Sequence, residues 1–436
     1  MANKRYKGKK TDSGGSTMPN SGSAITAIRH RTVFDSRGVE TLEIDMQLEA
    51  GFSRMAAPFG APGSRGEFEA PAYAPAGIEA TRKLLDDELI PALIGMDAAD
   101  QEAIDERLIE IDGTANFERI GGNTSTILSL AAANAAAQAL GKPLYEHLHA
   151  VDGWTLPVPL GNVVGGGAHS LGPAPDMQEH LVVPVGAKTV REAIEVNLAV
   201  HAEAGRILER KGRGFAGGMD DEDAWAADLT DFEAFEVVEQ AKKTIEDRTG
   251  VEIRIGTDLA ADRLYDKEKD VYVYDREGVS RSRAEQLEFV LGLIDRFDMA
   301  YVEDAFDSND YDAFAELNAA APERCLISAD DVFASNVSRT QVGIGKNAAR
   351  LMIVKPNQVG TLTGARRTAD LARANGIRPI ISNRSGETVD CSIAHLGVAW
   401  GTVGIKAGIR GGGRIIKLNE LIRIEQEKEG IRLAAW

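Results

Sequence analysis

The chain has 436 residues, 43% of them apolar and 27% charged, with a formal net charge of −18. That length exceeds one ordinary core, so two domains are expected, and the surplus of acid excludes a surface built for nucleic acid or anionic membrane. No apolar stretch approaches membrane-spanning length, the N-terminus lacks the apolar core of a secretory signal, and Cys325 and Cys391 alone make no disulfide framework, so a reducing cytoplasm is the expected setting.

Residues 1–23 are rich in Lys, Gly, Ser and Asn and read as a disordered tail. From Thr41 onward Leu42, Ile44, Met46 and Leu48 alternate with polar residues, the period of a half-buried antiparallel strand. A Gly/Pro-rich loop follows at Gly60–Gly66, and helical periodicity then dominates from Ala76 to about Leu140. Residues 24–150 are therefore expected to form an α+β N-terminal domain. Pro157 and Pro159 mark a boundary, and over 151–436 strands and helices alternate to the end. The spacing predicts helices over 189–211, 231–248, 282–297 and 362–374.

Six apolar runs in this second part each end in a polar residue. They close on Asp258, Glu303, Asp330-Asp331, Lys355, Asn383-Arg384 and Lys406. Continuous apolar strands of this kind belong to a parallel barrel, whose strand C-termini share one face and carry the active site. Asp258, Glu303 and Asp330 end successive strands; one such acid would read as a solvated cap, but three form an oxygen-only set suited to Mg²⁺. Lys355 and Lys406 face that set from later strands, and a lysine beside a cation and a second lysine is expected to have a lowered pKa and to accept a proton. Arg384-Ser385 on the same face could hold a phosphate. Glu222 lies in an acidic loop that reads, taken alone, as solvated surface. His169 follows the triplet Gly165-Gly166-Gly167, which lets backbone approach a ligand closely, and Gln178-Glu179 come soon after.

Taken together these residues resemble the enolase (phosphopyruvate hydratase) family. The likeness runs from about Ile25 to about Glu427 and rests on Phe34-Asp35-Ser36-Arg37-Gly38, Ile111-Asp112-Gly113-Thr114, Met177-Gln178-Glu179, Val302-Glu303-Asp304, Val354-Lys355-Pro356-Asn357-Gln358-Val359-Gly360, Arg384-Ser385-Gly386-Glu387-Thr388 and Ile405-Lys406. Gly161-Asn162-Val163-Val164-Gly165-Gly166-Gly167 looks most like the archaeal branch. The resemblance implies an α/β fold, an enolase-type (β/α)8 barrel with an α+β N-terminal capping domain. It also implies a Mg²⁺-dependent hydro-lyase acting on 2-phosphoglycerate.

Carried over position by position, Asp258, Glu303 and Asp330 resemble the ligands of one Mg²⁺. Lys355 resembles the base that takes the α-proton, and Glu222, supported by Glu179, the acid that protonates the leaving hydroxyl. Lys406 resembles the residue that holds the substrate carboxylate, Arg384 and Ser385 the phosphate ligands, and His169 the loop histidine that closes over substrate. Gln178 also falls among the substrate-binding positions. Ser64 resembles the mobile-loop serine that reaches a second Mg²⁺ arriving with substrate. The family implies a homodimer or higher homo-oligomer, with a small phosphorylated or phosphonylated glycerate as partner.

Two departures stand near the phosphoryl position. Asn383 replaces the usual histidine, and Arg65 lies in a catalytic loop two residues longer than usual. They raise an alternative, a carboxyphosphonoenolpyruvate synthase-like paralogue of phosphonate biosynthesis whose substrate carries an added carboxylate for Arg65 to bind. A non-catalytic enolase-like binding protein is the third reading.

Overall fold

A computed structural model describes residues 22–60 and 66–436. Almost all of the N-terminal tail, and the loop positions Ser64 and Arg65, lie outside the described residues. Three antiparallel strands open the chain: β1 (Ile25–Phe34), β2 (Glu40–Leu48) and β3 (Phe52–Ala56), in that order across the sheet. Leu42, Ile44, Met46 and Leu48 of β2 are all but inaccessible, as their alternation requires. The long helical stretch breaks where glycine enters. A short helical segment, Ile78–Leu93 with a π-turn inside it, is followed by α1 (Gln101–Asp112), which Gly113 ends in a left-handed conformation. Then comes α2 (Gly122–Ala139), the alanine-rich helix, with all but three of its eighteen residues buried. Small side chains let α2 lie tight on the sheet: Ser53 Oγ donates to Ala131 O at 2.7 Å, and a Cβ on Gly51 would sit 2.3 Å from Ala135 O.

Eight strands then close a barrel: β4 (Val158–Gly165), β5 (Glu179–Val183), β6 (Arg254–Asp258), β7 (Tyr301–Glu303), β8 (Leu326–Ala329), β9 (Leu351–Val354), β10 (Arg378–Ser382) and β11 (Gly404–Lys406). Helices α3 (Val190–Lys211), α4 (Asp231–Thr249), α5 (Arg283–Arg296), α6 (Tyr311–Ala320), α7 (Val337–Lys346), α8 (Leu362–Ala374), α9 (Ser392–Ala399) and α10 (Gly412–Glu427) surround it. Four of these match the helices expected from sequence to within a residue or so. The barrel is not uniformly parallel. β5 runs antiparallel to both β4 and β6, and the remaining strand pairs are parallel. Every residue of β5, Glu179 and His180 included, is buried, and a short strand buried on both faces carries no mark of its direction. Val158, Leu160, Leu181, Val183, Tyr301, Leu351, Ile353 and Ile380 fill the barrel interior and seal it below the mouth. Among the described residues, no helix is long and apolar enough to cross a membrane.

Candidate active site

Strand register brings the polar residues together. Because β5 is reversed, its first residue, Glu179, pairs with Asp258 at the end of β6; Asp258 in turn pairs with Glu303, and Ser382 pairs with Lys406. Lys406 is nearly buried, and its Nζ lies 2.8 Å from Glu179 Oε2, 2.8 Å from Glu303 Oε2 and 3.2 Å from Asp258 Oδ2. Three carboxylates around one ammonium outweigh the cost of burial and hold its pKa well above the ordinary lysine value. Lys355 pairs with Asp330. Burial works against its charge, but Asp330, Glu69 and Asp331 push its pKa upward despite Arg384 nearby. With Asp330 as direct partner the ammonium is favoured; the lowered pKa expected for Lys355 is that of a lysine facing a cation held by the same carboxylates.

The carboxylates crowd one another. Glu303 is fully buried, and burial together with Asp258 and Asp330 raises its pKa well above the ordinary value. Its Oε2 accepts from Tyr301 and Lys406, while Oε1 is buried with no hydrogen-bond partner. An orphaned buried carboxylate oxygen beside two further acids is what a hard dication would complete, so Asp258, Glu303 and Asp330 fit Mg²⁺. Asp304, with φ of 45°, accepts the backbone N–H groups of Asp330 and Asp331 at 2.9 and 2.8 Å and so fixes the end of β8.

On the opposite wall the acidic loop is not solvated surface. Glu222, Glu179 and His169 bring donor atoms within 4.8 Å of one another, all buried. Burial, with Glu222 and Asp258, pushes Glu179 up to about 8 against the pull of Lys406. Glu222 suffers the same burial, but His169, Arg414 and Lys406 bring it down to about 2. Of the two neighbours, Glu179 is thus the one that favours its proton and Glu222 the one that favours its charge. His169 Nδ1 lies 2.7 Å from Asp221 Oδ1; burial opposes its charge, but Glu222, Asp221 and Asp220 raise it to about 9. Gln178 Nε2 donates to Asp258 Oδ2 at 3.3 Å.

Arg384 enters the cleft from beyond β10. Its guanidinium donates to Glu69 Oε1 and Oε2 at 3.0 and 2.8 Å and to Asn357 Oδ1 at 3.0 Å. Asn383 donates from Nδ2 to the Arg384 carbonyl at 3.1 Å, and its own N–H donates to Lys406 O at 2.9 Å. Its side chain thus props the backbone that carries Arg384. Ser385 lines the same cleft.

Several contributors escaped sequence reasoning. Gln358 lies in a motif segment and Glu69 just beyond the Gly60–Gly66 loop, neither with an assigned task; Gln358 Nε2 bridges Glu69 Oε1 and Asp330 Oδ1, each at 3.2 Å. Arg414 is buried and donates to the carbonyls of Arg384, Ser385 and Asp221 at 2.6, 2.6 and 3.0 Å. It ties the loop after β10 to the acidic loop. A lone arginine in a glycine-rich segment carries no sequence signal of that task.

A family model described as "Enolase, N-terminal domain" matches residues 25–148, and one described as "Enolase, C-terminal TIM barrel domain" matches residues 153–431. The chain is 45% identical over 412 residues to a protein named Enolase from Methanothermobacter thermautotrophicus, covering 94% of this chain and 99% of that one. It is 48% identical over 405 residues to Enolase from Halorubrum lacusprofundi, covering 92% and 99%. Enolase from Haloarcula marismortui is 47% identical over 404 residues, covering 92% and 98%.

Proposed function

The chain belongs to the enolase family, and on that premise we propose that it removes water from 2-phosphoglycerate to give phosphoenolpyruvate. The observation that carries the reading is the mouth of the barrel, where Lys406 contacts Glu179, Asp258 and Glu303 and Lys355 contacts Asp330. Mg²⁺ held by Asp258, Glu303 and Asp330, with a second ion arriving with substrate and reaching Ser64, would supply the positive charge that a carboxylate dianion needs.

Lys355 takes the proton α to the substrate carboxylate. It accepts only when neutral, so its pairing with Asp330 loosens in the working complex. Lys406 holds the substrate carboxylate, and Gln178 steadies Asp258 beside it. Arg384 and Ser385 receive the phosphate, with Asn383 supporting their backbone. Glu222, receiving the proton that rests on Glu179, passes it to the departing hydroxyl, and His169 closes the water-exposed side. Residues 24–150 then act as a cap and 151–436 as the catalytic domain, in a cytoplasmic homodimer or larger homo-oligomer.

The altered-substrate reading is not favoured. Relatives matching over nine-tenths of the chain are named Enolase, and the Asn383 side chain has a backbone partner. Arg65, its other support, lies outside the described residues. A non-catalytic role is disfavoured by the same relatives.

The test is turnover of 2-phosphoglycerate with Mg²⁺, paired with solvent exchange. Lys355→Ala should stop exchange of the α-proton with deuterated solvent and lower the rate by about 10²–10⁴. Glu222→Gln should retain exchange while blocking loss of hydroxide, because it acts in the later step. Equal loss of exchange in both variants would undo this division of roles.

A further inference from the structure

A second group of metal-binding side chains lies outside the barrel mouth, between α9 and α10. Cys391 directly precedes α9, His395 follows one turn later, and Glu420 belongs to α10. One donor atom from each lies within 4.8 Å of the others. Spacing of four residues places Cys391 and His395 on one side of the helix start. All three are half-buried, so an ion could reach them and still lose much of its hydration.

The imidazole is held ready. His395 Nε2 lies 3.1 Å from Glu420 Oε1, and the ring stacks on Tyr145 with centroids 5.8 Å apart and planes 13° from parallel. Its Nδ1 is buried with no hydrogen-bond partner. Packing on Tyr145 fixes the ring, and Nε2 already lies beside Glu420 Oε1 at a separation two neighbouring ligands of one tetrahedral ion can take, so the imidazole would bind through Nε2. The charge environment agrees. Burial, Asp390 and Glu420 push the Cys391 thiol up to about 12, with Lys417 and Arg423 opposing. The same negative groups favour a dication, which binds the thiolate while the thiol proton leaves to solvent.

We propose that Cys391, His395 and Glu420 form a Zn²⁺-class site, distinct from the oxygen-only centre. Sulfur, nitrogen and oxygen donors together select a borderline-soft dication and discriminate against Mg²⁺. Three protein ligands leave a fourth position for water. Occupied, the site cross-links α9 to α10 and raises the resistance of that corner to unfolding. The other thiol, Cys325, is fully buried just before β8 and, among the described residues, belongs to no such group.

Cobalt tests this directly, because only a thiolate ligand gives a near-ultraviolet sulfur-to-Co²⁺ charge-transfer band. The full chain is saturated with Mg²⁺ to fill the carboxylate centre and then titrated with Co²⁺. The band should rise to one ion per chain and vanish when Zn²⁺ is added. It should be absent from Cys391→Ser and present in Cys325→Ser. His395→Gln should weaken Co²⁺ binding by at least about tenfold. Cys391→Ser should keep its Mg²⁺-dependent turnover, which shows that the variant is folded. No band in the unmodified chain, or a band that survives in Cys391→Ser, overturns the proposal. So does Co²⁺ binding that is unchanged in both His395→Gln and Glu420→Gln, since the cysteine would then act without its partners.

Discussion

At the scale of single residues, the site is a balance of buried charges, and His169 is where that balance meets pH most directly. Its imidazole has an ordinary pKa near 6.5 when unfolded. In the folded chain Glu222, Asp221 and Asp220 overcome burial and raise it to about 9. A raised folded pKa means that the charged ring stabilises the fold fully below about pH 6.5. The contribution then disappears as pH climbs through about 9. The stability gap between the unmodified chain and His169→Gln, read from urea unfolding between about pH 6 and pH 10, should therefore narrow as pH rises; a gap that widens would contradict the assignment. Residue-level roles were partly legible in sequence. The strand-end acids and lysines announced themselves because each follows an apolar run. Glu222 did not, because an acidic loop looks the same whether it faces solvent or folds over a cleft. Glu69 and Arg414 were silent because their partners, Arg384 and the carbonyls around it, are hundreds or tens of residues away and meet them only in three dimensions.

At the scale of elements, the helices were the most readable part, and capping explains why. α4 and α5 both begin with capping boxes, Thr230 with Glu233 and Ser282 with Glu285, signals that local sequence carries without help from the fold. Ser282→Ala should destabilise the chain by about 1 kcal/mol, seen as a lower urea midpoint with turnover intact, because only the start of α5 loses its cap. A cost well beyond about 2 kcal/mol would show that Ser282 supports more than a helix end. Strand direction was the unreadable part. Glu179–Val183 is five residues long and too short to show which way it points, and only its antiparallel pairing with β4 and β6 decides. The small sheet formed by Tyr265–Asp266, Val271–Tyr274 and Val279–Arg281 was missed for another reason: its strands are two to four residues long, too short to display a period.

At the scale of the whole molecule, the N-terminal part and the barrel meet through polar contacts that reach into the site. Asn123 and Asn357 share a hydrogen bond at 2.9 Å, Thr363 N donates to Asp105 Oδ2 at 2.8 Å, and Glu387 N donates to Ser36 Oγ at 3.1 Å. The strongest tie is Glu69 with Arg384, both side chains nearly inaccessible. Glu69→Ala leaves a buried guanidinium without its anion and should cost about 3–5 kcal/mol, visible as a lower melting temperature. Inorganic phosphate should restore more stability to that variant than to the unmodified chain, because Arg384 then lacks its internal anion. Equal rescue of both would separate Arg384 from phosphate binding. The reversed strand has a mechanical consequence as well. Two parallel neighbours need a crossover of a dozen or more residues that returns along the outside of the barrel. An antiparallel pair needs only a turn at one rim, and here that turn, residues 166–178, spans the catalytic rim with His169 on it and fully exposed Leu171 beyond. Both ends of this strap are bolted to barrel strands, at Gly165 and Glu179, so its travel is bounded by its own contour, about 3.5 Å per residue up and back down. A strap anchored in this way cannot drift from the cleft, and the cost of bringing His169 to the rim was met when the barrel closed.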